Sequence, residues 1–136
     1  MTVERWDPAG AAAGLTPQKL ERLLEASRHL DEPRFGLGEA AAELAPLARQ
    51  ATGSRLGADW AETAEGLADD EVVALIRLFT LAESALPGWE AGDASPVIPL
   101  AAVLKRRGSY PGDLTGWIRA NSDNRFLPYG NLMNRL

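Results

Sequence analysis

Apolar residues along this chain recur at spacings of three and four, and no stretch alternates with the period of two that marks a strand. The sharpest series is Val72, Leu75, Ile76, Leu78, Phe79, Leu81, Ala82 and Leu86. At about 100° per residue these positions cover roughly 220° of a helix surface and leave Arg77, Thr80 and Ser84 on a narrow polar strip. A helix so widely apolar belongs at the centre of a fold, so Leu75, Leu78, Phe79 and Ala82 are expected to be fully buried. Asp69 or Asp70 marks its start, because acidic side chains suit the positive end of the helix dipole. Leu86-Pro87-Gly88-Trp89 ends it, with proline and glycine in the middle positions of a type II turn.

Weaker patterns flank that helix. Thr16-Pro17 is a cap followed by proline, and Leu20, Leu23, Leu24 and Leu30 then predict an amphipathic helix from Gln18 to Leu30, stopping before Pro33. A second helix is expected over Gly38 to Gln50, kinked or divided by Pro46. Gly53 to Gly66 is less regular and accommodates a short helix around Trp60. Ser95-Pro96 opens another helix through Val97, Ile98, Leu100, Ala101, Val103 and Leu104 to Gly108, with Pro99 in its first turn. The turn Tyr110-Pro111-Gly112-Asp113 leads to a short helix carrying Leu114, Trp117 and Ile118. Leu127-Pro128-Tyr129-Gly130 reads as a turn, and Leu132, Met133 and Leu136 as a last docked turn. The expected class is therefore all-α, a single compact domain over residues 1–136 with about five or six helices, Pro/Gly turns in its C-terminal half and a flexible lead over residues 1–15. No internal repeat at a fixed period is present.

Composition narrows the function more by exclusion than by indication. With 136 residues the chain has room for one core, and 46% hydrophobic with 24% charged residues disfavours both global disorder and a fibrous class. No apolar run approaches the ~20 residues that cross a bilayer. The acidic start, Met1 to Pro8, lacks the basic and apolar regions of a secretory signal, so a cytoplasmic protein is expected, with no membrane partner. Zero cysteines and one histidine remove thiolate chemistry, cysteine-based zinc sites and any histidine cluster, and no metal or cofactor is expected. The 12 Arg against 2 Lys, together with many Ala and Gly, give a bacterial-like composition that reflects coding bias and carries no functional weight.

Charge is distributed unevenly. Residues 1–94 hold 8 Lys/Arg against 17 Asp/Glu, a net of −9, whereas residues 95–136 hold 6 against 2, a net of +4. The cationic portion also carries the densest polar run, Asn121-Ser122-Asp123-Asn124-Arg125, and five of the nine aromatics, Trp89, Tyr110, Trp117, Phe126 and Tyr129, follow the central helix. Asn121, Asp123, Asn124, Arg125 and Tyr129 are the candidate binding residues, because a polar loop on a rigid scaffold supplies mixed donors and acceptors. The plainer reading makes Asn and Asp terminate the Trp117 helix and the aromatics anchor turns onto the core. A calcium loop is excluded, since Arg125 falls on a ligand position, Phe126 where glycine is required and Leu132 where an acid is required.

Lys105, Arg106, Arg107 and Arg119, with Arg125, form the candidate phosphate-binding set, although cations before a C-terminal glycine equally complement a helix dipole. An acidic chain without a recognition helix disfavours nucleic acid, and carboxylates from residues 1–94 are expected to pair with several of these cations. His29, between Asp31 and Glu32 on one side and a helix end on the other, reads as a surface or capping histidine with no nucleophile beside it. Gly36 to Gly38 is a turn, not a dinucleotide fingerprint. The leading expectation is a small non-enzymatic protein-interaction module with no catalytic residues, whose partner is another protein. Phosphate-ligand or nucleic-acid binding and a small enzyme with a site around Asp123 and Arg125 are the alternatives.

Overall fold

A computed structural model describes residues 17–45, 59–86, 88–91, 95–124 and 127–128, and among them are six α-helices and no strand. Helix α1 spans Pro17–Ala26 and buries Leu23 and Ala26, while Leu20 and Leu24 pack at the core's edge. It ends four residues earlier than the leucine spacing predicts. The Ser27 hydroxyl donates to the Leu24 carbonyl at 2.5 Å, and the N–H groups of Arg28 and His29 turn to the carbonyls three residues back. That tightened turn leaves Leu30 partly buried outside the helix.

Between α1 and α2 (Ala40–Leu44) the chain makes a left-handed turn, with Arg34 at φ 50°, Phe35 at φ 57° and Gly36 at φ 73°. Left-handed backbone costs a residue with a Cβ about 1–2 kcal/mol. Phe35 offsets this by burying its ring in the core at 6% exposure. Gly36 and Gly38 both take positive φ, as the glycine pair predicts. Of the expected Gly38–Gln50 helix, α2 is the described part; the Thr16 cap and the Pro46 kink lie outside the described residues.

Helix α3 (Asp59–Ala64) carries Trp60, and α4 (Asp69–Ala85) is the hub. Asp69, Asp70 and Glu71 occupy its first turn, where the Glu71 carboxylate accepts the Ala68 N–H at 2.9 Å. Val72, Leu75, Ile76, Leu78, Phe79 and Ala82 have no measurable exposure. Phe79 sits edge-on to Trp60, with ring centroids 5.2 Å apart, and 6.0 Å from the tilted Trp89 ring. The expected polar strip needs one correction. Thr80 is wholly buried, its hydroxyl donating 2.7 Å to the Ile76 carbonyl, so its polar group is satisfied within the helix. Arg77 is half-buried with its guanidinium 5.5 Å from the Trp117 ring centre, and Ser84 is exposed.

Gly88, at φ 87°, and the Trp89 N–H to Leu86 carbonyl bond of 3.3 Å fit the predicted turn. Trp89 is then locked inside the core by donating its indole N–H to the Ala41 carbonyl at 2.8 Å. Helix α5 (Val97–Arg107) returns antiparallel along α4 and also covers α3. Its end is closed by left-handed Gly108, whose N–H bonds the Lys105 carbonyl while the Ser109 N–H bonds that of Leu104. The following turn is Pro111–Leu114, one residue later than predicted, with Asp113 at φ −97° and ψ −1° as in a type I turn. Helix α6 (Leu114–Asn121) packs Leu114 and Ile118 against α4. Among the described residues, all buried apolar side chains belong to one core.

Candidate functional site

Glu83 breaks the apolar series of α4, yet it lies one helical turn from Phe79 and Leu86 on the buried side, so the fold carries a carboxyl inward. It retains only 7% exposure. Its Oε2 accepts a hydrogen bond from the hydroxyl of Ser95, itself fully buried, and that hydroxyl oxygen accepts the Val97 N–H at 3.2 Å at the start of α5. Its Oε1 accepts from the Asn124 side-chain amide at 3.3 Å. One carboxyl thus joins the end of α4, the start of α5 and the segment after α6. Burial pushes its pKa up to about 7, against the opposing pull of the Ser95 and Asn124 hydrogen bonds.

This group forms one wall of an open cleft of about 450 Å³, lined by Glu83, Ser84, Glu90, Ala91, Ser122, Asp123 and Asn124. Of these seven described lining residues three are carboxylic acids and none is a cation. Donors and acceptors from Ser84, Ser122 and Asn124 complete a polar surface. Such a lining can accept hydrogen bonds from an ammonium or guanidinium group, each charge-assisted.

The predicted polar run falls partly here. Asp123 is exposed at the cleft, and Asn124 is half-buried through its bond to Glu83. Asn121 turns the other way, donating its amide to the Trp117 carbonyl at 2.8 Å and closing the end of α6. Arg125, Phe126 and Tyr129 lie outside the described residues. The sequence reading missed Glu83 and Glu90. Glu83 was detectable in principle, because it is seven residues from Ile76 and four from Phe79 on the apolar face.

The described members of the cationic set each have a place of their own. Arg106 pairs with Glu65 at 3.5 Å; Arg107 pairs with Asp69 at 2.8 Å and donates to the Ala64 carbonyl at 2.7 Å. Both pairings are with carboxylates from the acidic portion, as the charge asymmetry predicts. Hydrogen bonds from Ser109 and Arg107 hold the Asp69 carboxyl below its ordinary value. The Lys105 ammonium rests 4.5 Å from the Tyr110 ring centre, and Arg119 is exposed on α6.

A second cleft, of about 380 Å³, borders α1 and the left-handed turn, and His29 lines it. Nε2 meets Glu25 at 2.8 Å and Nδ1 meets Glu32 at 2.7 Å, and these bonds raise its pKa. The partner on the helix side is thus Glu25, while Glu32 is one of the two neighbours expected from sequence. Because the two carboxylates approach opposite ring nitrogens, the trio does not converge on one point. Among the described residues no group of three or more His, Asp or Glu is arranged to hold a metal ion, and no helix is long and apolar enough to cross a membrane. No known protein family, curated protein or solved structure matches the chain.

Proposed function

We propose that the protein is a small non-enzymatic interaction module whose Glu83 cleft receives a lysine or arginine side chain from a partner protein. The observation that carries this reading is the lining itself, with Glu83, Glu90 and Asp123 around one opening and no cation among the described lining residues. Charge complementarity of this kind steers association and selects partners. The nucleic-acid alternative draws no comparable support, because Arg106 and Arg107 are paired with carboxylates.

The test is a calorimetric titration with a short Lys/Arg-containing peptide and its Gln counterpart at low salt. Glu90→Gln with Asp123→Asn is compared against Glu39→Gln with Glu43→Gln, two exposed acids of the α2 region that change net charge equally. Binding of the cationic peptide that weakens at least tenfold only in the cleft variant supports the proposal. Equal loss in both variants, or no binding to the wild type, refutes it.

One observation favours a second reading, a small acid–base enzyme. A carboxyl with a pKa of about 7 beside an accessible cleft suits proton transfer at neutral pH. In that case Glu83→Gln abolishes turnover of a substrate while leaving its binding in place, whereas an interaction module has no turnover to lose and shows the substitution only as weaker binding of the cationic peptide.

A further inference from the structure

We propose that Arg77, held beside Trp117, is a second anchor for the partner protein and binds a carboxylate side chain, an aspartate or glutamate, next to the cleft that receives the partner's cation. The ligand class follows from Arg77 itself; its place on the same partner rests on the cleft reading above.

Helix α4 gives Arg77 no counterion. The positions one turn away on either side are Val73, Ala74, Thr80 and Leu81, none of them acidic. Arg28, Arg106 and Arg107 each meet a carboxylate, at 3.2, 3.5 and 2.8 Å. Arg77 has no ion pair among the described residues, although the whole chain carries a net charge of −5. Its Nε is sealed from water without a hydrogen-bond partner, the only side-chain polar atom among the described residues in that condition. Val73 and Leu81, one turn before and after it, are half-buried against the core, as is Trp117. The guanidinium thus sits in a partly apolar setting, where a charge-assisted hydrogen bond is stronger than in water. Trp117 restrains the planar fork, and the two Nη nitrogens match the two oxygens of a carboxylate.

Placement ties this anchor to the cleft. Ser84, which lines the cleft, lies two turns beyond Arg77 on the same face of α4, a separation of about 10 Å. Helix α6 and the residues after it follow the same course, since Trp117 meets Arg77 and Asn124 meets Glu83. A partner segment in polyproline II form presents every third side chain on one side, about 9 Å apart. A base and an acid separated by two residues therefore reach both anchors.

Calorimetric titration of the whole protein at low salt tests this with the end-capped peptides Lys-Pro-Pro-Glu and Glu-Pro-Pro-Lys, each against its counterpart with Gln for Glu. General attraction to an acidic protein favours the Gln peptides, which carry the greater positive charge, so only a specific carboxylate contact reverses that order. For one of the two peptide orders the wild type should bind the Glu form about fivefold more tightly than the Gln form. Arg77→Gln should remove the preference, and Arg28→Gln, an equal change of charge on α1, should keep it. A wild type without the preference, or an Arg77→Gln variant that retains it, overturns the proposal. Arg77→Lys keeps the charge and stem without the planar fork and serves should Arg77→Gln fail to fold; it should lose most of the preference, and full retention refutes the site. If none of these peptides binds, the cleft reading fails and the Trp117 indole N–H signal in NMR decides on Arg77 separately. A shift on adding capped Ala-Pro-Pro-Glu that is absent in the arginine variant supports the carboxylate site. No shift, or a larger one with inorganic phosphate, overturns it.

Discussion

Replacing Glu83 with glutamine should change how stability depends on pH more than it changes stability itself. The substitution preserves shape, keeps an acceptor for Asn124 and removes the ionisation. In the wild type the folded-state pKa, about 7, stands above the ordinary 4.5. A raised carboxyl pKa means that the folded state binds the proton more tightly than the unfolded chain. The corresponding stabilisation is therefore full below about pH 4.5, declines as pH rises, and is gone above the folded value. The two pKa values differ by about 2.5 units, which at 1.36 kcal/mol per unit is about 3 kcal/mol, most of it lost between about pH 5 and pH 7. Urea unfolding followed by circular dichroism, run on both proteins at intervals from pH 4.5 to 8.5, isolates this quantity. Titrations shared by both proteins, including that of His29, cancel in the difference. Glu83→Gln should gain about 3 kcal/mol on the wild type across the range. A difference that stays flat within about 0.5 kcal/mol would show that Glu83 is solvated or paired, and the argument from its burial would fall.

Three further outcomes follow from the packing and the charge pairs. Phe79→Ala removes the ring against which Trp60 and Trp89 pack and should cost about 3–5 kcal/mol in urea unfolding; a loss under about 1 kcal/mol would contradict α4 as hub. Gly108→Ala places a Cβ at φ 73° with nothing within 4 Å, so it should cost about 1 kcal/mol through backbone strain alone, read by the same unfolding curves. His29 should titrate above 6.5 by NMR, and Glu25→Gln with Glu32→Gln should return it toward that value. Because this pKa is raised in the folded state, its stabilising contribution is complete below 6.5 and disappears as pH passes the folded value, so the double variant should lose more stability at pH 6 than at pH 8.5.

Local pattern carried most of the helical architecture. Widely apolar spacing found α4 within a residue at each end, proline and glycine found the Gly88 turn, and Ser95 was recognisable as the opening of α5. Errors arose where side-chain chemistry was read without its tertiary setting. Thr80 was assigned to a polar face because a hydroxyl usually seeks water, but its own helix supplied the acceptor. Helix α1 stopped short because Ser27 and His29 found partners that leucine periodicity cannot register. The cleft was half legible. Asp123 and Asn124 stand in a conspicuous polar run, whereas Glu83 acquires its character from Ser95, 12 residues away, and Asn124, 41 residues away. Desolvation is a property of the assembled fold, and no local window contains it.

The α4–α5 hairpin has a consequence for alignment along its axis. Leucine, isoleucine and valine tolerate sliding, since one methyl-lined groove resembles the next a turn away. Here each extremity is pinned by a different kind of bond: Arg107 to Asp69 at the solvent-facing end, and Ser95 to Glu83 at the enclosed end. A displacement of one turn, about 5.4 Å, would break both at once and leave a carboxyl among hydrocarbons without the hydroxyl that donates to it. The hairpin therefore behaves as a keyed joint, in which the apolar faces supply adhesion and the two polar pins decide where the parts stop.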